Sequence, residues 1–237
     1  MPAPQPVSVT LFRYPVYGIP AAVLSMALFH IPLWISGRIS FYKLFGTGRN
    51  GGFDKRPNWQ QWALLMVHTG NPVCSNKQYL GWFINFWTRI WNAEVFTIWL
   101  EPLESHGSWD GKTPFNRNSE KGSPVETIVV LTRATIRFNR LQRFWSHVDE
   151  VARQMQEAPG LLTSFGIGEV PYIKQATLSV WKDAASMKSF AYQLPAHQEV
   201  IRKTRSENWY REELFARFRL IEVHGTLNGS NPLTGIL

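Results

Sequence analysis

The chain has 237 residues, of which 44% are hydrophobic, and this composition excludes a disordered protein. Its formal charge of +8 favours anionic partners in general. Because the basic residues form no run and no nucleic-acid-binding signature is present, nucleic-acid binding is not expected. The single cysteine, Cys74, excludes an intramolecular disulfide and a multi-cysteine zinc site. The opening residues lack the basic region of a secretory signal, which predicts a cytoplasmic protein.

The first long apolar stretch, residues 18–35, carries no charge and approaches the ~18-residue minimum for a membrane-spanning helix. Pro32 would bend or end such a helix, and His30 would need a hydrogen-bonding partner in lipid. These residues favour a buried or interfacial helix over a span. They therefore predict, at most, peripheral contact with the inner face of a membrane.

Apolar periodicity predicts alternating strands and helices along the whole chain. The first half reads as a strand at 7–13, a helix at 18–36, strands at 39–45 and 62–68, a helix at 78–93 and a strand at 96–100. The second half reads as a strand at 127–136, a helix at 140–156, strands at 161–167 and 174–181, helices at 184–192 and 196–216, and a strand at 218–223.

Each half thus has the order strand, helix, strand, strand, helix, strand, which is the split βαβ or ferredoxin-like arrangement. Residues 108–124, rich in Gly, Asn, Ser, Lys and Pro, predict a linker or surface loop between the halves. A His-Gly pair recurs after the last strand of each half, at His106-Gly107 and His224-Gly225. We therefore expect an α+β fold of two tandem ferredoxin-like modules, 1–107 and 125–237, packed like a fused dimeric α+β barrel.

Gly46, Gly48 and Gly51 have the spacing of a dinucleotide-binding loop and follow a predicted strand. A dinucleotide site also needs a helix that begins at the loop and faces the pyrophosphate. Here a charged segment and another strand follow, so a glycine-rich strand connection is the better interpretation.

An ordered set of motifs in the second half resembles the spheroidene monooxygenase family of carotenoid biosynthesis. The motifs are Leu-Thr-Arg-Ala-Thr-Ile-Arg at 131–137, Gly-Ile-Gly-Glu-Val-Pro at 166–171, Gln-Ala-Thr-Leu-Ser-Val-Trp at 175–181, His197 with Ile201, Arg202 and Arg205, and the segment 209–218. The resemblance implies a haem-containing monooxygenase that uses O2 and electrons from a reduced ferredoxin. It also implies an acyclic, spheroidene-like carotenoid substrate whose C-2 methylene gains a keto oxygen through successive hydroxylations.

Oxygenation of a hydrocarbon needs a cofactor, because side chains alone do not activate O2. A non-haem iron site would require two histidines and a carboxylate, nominally His197, Glu199 and His224, but the first two lie two apart in a predicted helix and point in different directions. Haem needs only one strong axial protein ligand. The residues alone favour a local hydrogen bond for His197, whereas the resemblance favours it as the axial ligand, with His68 and His224 as reserves. A thiolate ligand would have to be Cys74, which has no surrounding signature.

Two pairs of arginines are candidates for contact with haem propionates. Arg133 and Arg137 lie four apart in a predicted strand and should share a face, although a solvated edge or an ion pair with Glu169 explains them equally well. Arg202 and Arg205 lie three apart on the predicted helix 196–216. The remaining charged residues of that helix are interpreted as helix-surface ion pairs: Arg211, Glu212, Glu213 and Arg217.

Two other functional classes remain open. Eleven Trp, fifteen Phe and seven Tyr supply apolar area for a core or for an extended ligand, so a non-catalytic carotenoid or lipid carrier would need no iron ligand. A different haem enzyme on the same fold, such as an aldoxime dehydratase-like protein, would keep the histidine without oxygenating its substrate. The absorption spectrum of the purified protein separates the carrier from the haem enzymes.

Overall fold

The computed structural model describes residues 5–49, 56–70, 77–115, 126–193, 202–204 and 206–235. The first half forms β1 (Val7–Arg13), α1 (Ile19–Leu28), α2 (His30–Ile35), β2 (Ile39–Gly48), β3 (Pro57–His68), α3 (Gly81–Ile90) and β4 (Glu94–Gly107). The second half forms β5 (Ile128–Ile136), α4 (Leu141–Gln156), β6 (Leu161–Val170), β7 (Lys174–Trp181), α5 (Ala184–Gln193) and β8 (Tyr210–Gly225). Both halves have the predicted order, with α1 and α2 in the place of one helix.

The eight strands form one closed antiparallel barrel in the order β1-β3-β2-β6-β7-β5-β8-β4. Two pairings join the halves: β4 runs along β8, and β2 meets β6 where Gly46 faces Gly168. Closure leaves no free sheet edge, which removes the usual template for pairing with another chain. The prediction of an α+β fold built from two ferredoxin-like modules is confirmed.

The repeated His-Gly pairs end β4 and β8 at equivalent places. Gly107 and Gly225 have φ values of +86° and +83°. An added Cβ would lie 2.1 Å from the oxygen of Glu213 at the first site and 1.9 Å from the oxygen of Val95 at the second. Glycine is required at both positions because only a residue without a side chain combines this φ with such close strand contact.

Alternate residues of every strand fill the barrel with apolar side chains, as the period of two along a strand requires. Two aromatic residues from the predicted linker also belong to this core. Trp109 is fully buried, and Phe115 meets Phe218 edge-to-face with ring centroids 5.1 Å apart. Residues 108–115 thus connect the halves without a helix or strand, as a linker would, but these two rings bind the segment to the barrel interior. Residues 116–124 lie outside the described residues.

The last strand corrects a prediction. β8 begins at Tyr210, so the predicted helix 196–216 is wrong over residues 210–216. Leu214, Ala216 and Phe218 alternate into the core, and this period of two prevails over the helical interpretation. The predicted helix-surface pairs are replaced by contacts across strands, such as Arg217 Nη2 with Glu104 Oε2 at 3.1 Å.

Helices α1, α2 and α3 cover the outer face of the first module. Ala22, Phe29 and Leu33 lie on the side of α1 and α2 that packs against the barrel. His30 Nδ1 lies 3.1 Å from the hydroxyl of Tyr42, which supplies the partner that this histidine needs. Residues Val16–Ile35 have the length and mean hydropathy, 1.7, of a membrane span, and 33% of that window is buried. The packed side favours a surface-lying pair of helices over a span.

Candidate functional site

Six charged side chains close one end of the barrel, where β5 and β6 end and β7 and β8 begin. Arg133 is central and only 2% exposed. Its guanidinium donates to Glu212 and, at 3.2 Å, to Asp110, while its Nε lies 3.5 Å from Glu169. Two lysines complete the set, which we call the barrel-end cluster: Lys43, Asp110, Arg133, Glu169, Lys174 and Glu212.

The barrel-end cluster rests on Trp109. The indole Nε1 donates a hydrogen bond of 2.8 Å to Glu169, and the guanidinium of Arg133 lies 5.6 Å from the ring centroid. A guanidinium over an aromatic ring adds a cation-π attraction to the ion pairs. The cluster therefore contains three cations and three carboxylates, so its formal charges balance, and it covers the apolar core at this end of the barrel.

Hydrogen bonds hold two carboxylates of the barrel-end cluster ionised. Burial alone would raise the pKa of Glu212, but donors from the Gly111 amide, Ser108 and Arg133 outweigh it and lower that pKa to about 2. Burial likewise opposes ionisation of Asp110, whose pKa falls to about 2 because Lys174 and Lys43 bind it. Both groups are thus fully charged at neutral pH.

Arg133 and Arg137, which the sequence places four apart in one strand, lie in different surroundings. β5 ends at Ile136, and Arg137 is exposed at the start of the 3₁₀ turn Phe138–Arg140. The ion pair between Arg133 and Glu169 that the sequence allowed is present. Since three carboxylates already surround this guanidinium inside the barrel, these contacts favour a structural role for Arg133.

The two reserve histidines lie on the side of the barrel that belongs to the first module. His68 is buried at the end of β3, with Nε2 2.8 Å from Ser8 Oγ and its ring 5.0 Å from Trp99. Burial lowers the pKa of His68 to about 4, so the imidazole is neutral at pH 7. His224 lies on β8, where it pairs with Thr97 of the neighbouring strand β4, and its Nε2 is 2.9 Å from Oε1 of Glu222. These contacts favour structural roles for both.

The outer face of the second module differs from the rest of the barrel surface. Thr132 lies in the middle of β5, between Thr177 of β7 and Phe215 of β8, and is nevertheless exposed. A central residue of a barrel strand is normally covered by a helix on this face. Apart from Phe215, the neighbouring side chains on β5, β6 and β7 are small, and we call this region the open face: Thr132, Ala134, Ser164, Gly166, Thr177 and Ser179.

Two separate apolar clusters flank the open face. Under α5, Trp181 packs with Met187 and Phe190. Under α4, Phe144 and Val148 pack with Ile136, Trp145 and Trp209. Helix α4 contacts both clusters, since its Met155 packs against the cluster under α5, and Thr132 between the two clusters stays exposed.

Polar groups of α4 and the residues after α5 border this region. His147 Nε2 lies 3.2 Å from Lys203 Nζ, and its Nδ1 lies 2.9 Å from the carbonyl oxygen of Arg143. Further along α4, the buried Oε1 of Gln154 has no hydrogen-bond partner among the described residues. A buried acceptor without a donor is costly unless a ligand or water satisfies it.

Several predicted site residues lie outside the described residues: His197, Glu199, Arg205 and Cys74. Arg202 is described and exposed. Within the described ranges, no group of three or more His, Cys, Asp or Glu side chains is arranged to hold a metal ion.

A polar cleft of about 700 Å³ lies at the barrel end opposite the barrel-end cluster. It is bordered by Arg13 at the end of β1, by Gln60 and Gln61 of β3, and by Asn228 and Ser230 after β8. Its lining, as far as the structure describes it, contains no histidine, cysteine or carboxylate side chain. This cleft is therefore not a candidate metal site.

The sequence is similar to proteins of one family along nearly its whole length. It is 36% identical to spheroidene monooxygenase of Rhodobacter capsulatus over 235 residues, which cover 95% of this chain and 94% of the relative. The chain belongs to the spheroidene monooxygenase family. It is also 33% identical to spheroidene monooxygenase of Cereibacter sphaeroides, over 97% of this chain and 71% of that protein. No protein-family model matches the sequence.

Solved structures of aldoxime dehydratases have the same fold as this family member. One, in complex with butyraldoxime, aligns with a TM-score of 0.64 and 10% identity over 98% of this chain and 85% of that one. A second aligns with a TM-score of 0.61 and 9% identity, over 98% and 87%. At such identities the likeness establishes the fold alone.

Proposed function

We propose that the chain is a carotenoid monooxygenase that uses haem to oxygenate an acyclic, spheroidene-like carotenoid. The observation that carries this proposal is the 36% identity with a spheroidene monooxygenase over 95% of the chain. The reaction class is accordingly that of an oxidoreductase. The proposed product carries a keto oxygen at C-2.

The open face is the part of the described structure that fits haem. Thr132 is exposed, and the side chains of Ser164 and Thr177 beside it are small, so a macrocycle would meet no large side chain from them. The apolar clusters on either side would cover its hydrophobic edges. The unpartnered Oε1 of Gln154 is consistent with a ligand in this region, because a buried acceptor needs a donor.

His197 remains the proposed axial ligand. The sequence between α5 and Arg202, which flank the open face, contains this histidine. Arg202 and Arg205 remain proposed partners for the propionates. The barrel-end cluster gives Arg133 a different role, so it is not part of the proposed site.

Bound haem would supply the O2 activation that side chains lack. The chain would bind the group through an imidazole, keep water away with the aromatic clusters and hold the C-2 methylene of the substrate near it. Two hydroxylations of that carbon give a geminal diol, which loses water to form the ketone. Each hydroxylation consumes one O2, two electrons and two protons, places one oxygen atom in the substrate and releases the other as water. A reduced ferredoxin is the proposed electron donor.

Absorption spectroscopy of the purified protein tests the cofactor. We expect a Soret band in the wild type, its loss in His197→Ala and an unchanged circular dichroism spectrum in that variant. His106→Ala, which alters an exposed histidine at the end of β4, is the matched control and should keep the band. Full haem retention by His197→Ala would contradict the ligand assignment.

Co-expression with an acyclic carotenoid pathway tests the reaction. Under aerobic conditions with a competent ferredoxin system, we expect an oxygenated, red-shifted carotenoid that His197→Ala does not produce. Absence of any new pigment from the wild type, with haem bound, would contradict the oxygenase.

A second candidate is a haem enzyme that dehydrates aldoximes, since an aldoxime dehydratase shares this fold at a TM-score of 0.64. It would convert an aliphatic aldoxime to a nitrile without O2. A carotenoid or lipid carrier, the third class, would purify with pigment and without a Soret band. A cytoplasmic location stays a prediction.

A further inference from the structure

The exposed side of α3 is apolar, although the other side of this helix already packs on the barrel. Ile84 and Trp87 face the core layer of the first module. Trp82, Phe86 and Ile90, spaced four apart, face outward, and Trp82 is 79% exposed. A helix that is apolar on both sides is typical of burial on both sides.

α1 and α2 extend this surface. Leu24, Ile31 and Trp34 point away from the barrel, and Trp34 is 82% exposed. The two parts are continuous, because α2 lies beside α3 and Phe29 meets Phe83 edge-to-face at 6.4 Å. We call the joint surface the apolar face: Leu24, Ile31, Trp34, Trp82, Phe86 and Ile90. Patches of this kind mark sites of interaction with membranes or proteins.

The part of the chain that carries the apolar face is strongly basic. Residues 1–93 contain eight Lys or Arg and one acidic residue, Asp54, whereas residues 94–237 contain seventeen basic and sixteen acidic residues. Arg38 follows α2 and Arg89 lies in the last turn of α3, and both are exposed. Nearly the whole net charge of the protein therefore belongs to the part of the chain that carries this surface.

We propose that the apolar face docks the protein on an anionic lipid bilayer, with α1, α2 and α3 lying in the interface. Exposed tryptophans beside apolar side chains suit the headgroup boundary, and the flanking arginines suit anionic headgroups. A span through the bilayer would pull Ala22, Phe29 and Leu33 out of the first module. The inference rests on this surface and not on the proposed reaction.

Flotation of the full-length protein with extruded vesicles tests the proposal. We expect binding to phosphatidylglycerol vesicles, weaker binding to phosphatidylcholine vesicles, and loss on addition of salt. The double variant Trp82→Gln/Phe86→Gln should weaken binding about tenfold or more, since each ring loses apolar burial. Removing Arg38 and Arg89 as Arg38→Gln/Arg89→Gln should cost about fivefold per arginine on the anionic vesicles.

Phe138→Gln is the matched control, because Phe138 is 82% exposed on the second module and should not affect binding. Equal loss in this control, or unchanged binding in Trp82→Gln/Phe86→Gln, would overturn the proposal. If the wild type is a dimer and Trp82→Gln/Phe86→Gln is a monomer, a second copy of the chain covers the apolar face. If the protein stays with the vesicles after alkaline extraction, it spans the bilayer. Either result rejects interfacial docking. Vesicle binding needs neither haem nor carotenoid, so its failure is distinguishable from failure of the proposed reaction.

Discussion

Thr10 and Thr132 occupy comparable places in the two modules, yet one is fully buried and the other is exposed. Thr10 lies on the outer face of β1 between Leu64 and Thr97. Its hydroxyl is 2.9 Å from that of Thr97, which Tyr79 contacts in turn at 2.6 Å. Thr132 lies between Thr177 and Phe215, with open space above it.

Side-chain size accounts for this difference between modules of the same topology. The outer face of the first module carries large side chains, among them Leu64, Met66 and Trp62, which meet the helices directly. The open face replaces them with Ser, Thr, Ala and Gly. Because packed interiors leave few voids, a face without large side chains either collapses or holds a ligand. The two modules thus share a topology but differ in side-chain volume on their outer faces, and the open face is the one proposed to hold the ligand.

The largest expected change in unfolding free energy comes from a substitution in the barrel-end cluster, and the same substitution tests whether the ligand binds there or at the open face. Glu212→Gln removes one of the three charges that face the buried Arg133, and the loss of a hydrogen bond between charged groups should lower the unfolding free energy by about 2–3 kcal/mol. Urea denaturation measures this loss. Glu126→Gln, which alters a part-exposed pair with Arg219, should cost no more than about 1 kcal/mol.

The same two variants decide the location of the cofactor. If the open face holds it, folded Glu212→Gln protein keeps a normal amount of cofactor per molecule. Loss of cofactor with unchanged stability would place the ligand at the barrel end and end the distinction between the modules.

The pH dependence of the unfolding free energy tests whether the outer layer of the first module excludes water from His68. The pKa of His68 is about 4 in the folded protein against about 6.5 when unfolded, so the unfolded state binds more protons between these values. Unfolding free energy should therefore fall by about 2–3 kcal/mol as the pH drops from 7 to 4.5. Below that range, Asp110 and Glu212 begin to take up protons as the pH falls towards their folded pKa of about 2.

His68→Gln should flatten this part of the profile, and His106→Gln should leave it unchanged. A wild-type profile that is already flat between pH 7 and 4.5 would mean that water reaches His68. The outer face of the first module would then be as open as that of the second.

The alternation of strands and helices predicted most of the fold, because each strand has an apolar side set by its period of two. β1 and β7 have the predicted bounds. The start of β8 was missed because Arg211, Glu212 and Glu213 suggested helix-surface pairs, although Leu214, Ala216 and Phe218 already alternate. Trp109 and Phe115 were missed because the surrounding Gly, Asn and Ser residues outweighed two isolated rings.

The site was less predictable than the fold. The ion pairs of Arg133 were not predictable, because Asp110 and Glu212 lie 23 and 79 positions away and meet it only when the barrel closes. Without these partners in view, Arg133 resembled a ligand-binding residue. The open face has no sequence signature, since Thr132, Ser164 and Thr177 are ordinary strand residues one at a time. Only the register of β5, β6 and β7 shows that these small side chains adjoin.

The smallest expected changes in unfolding free energy come from placing a Phe on the outer face of each module. These two variants also compare the faces most directly. Thr10→Phe inserts a ring into a filled layer and removes the hydrogen bond to Thr97, so it should lower the unfolding free energy by about 1–3 kcal/mol. Thr132→Phe inserts the ring into open space and should change that energy by no more than about 0.5 kcal/mol. It should, however, reduce the bound cofactor, measured as Soret absorbance per folded molecule, because the ring occupies the floor of the open face. Equal destabilisation by the two variants would mean that the second face is packed as closely as the first, and the small residues around Thr132 would then need another explanation.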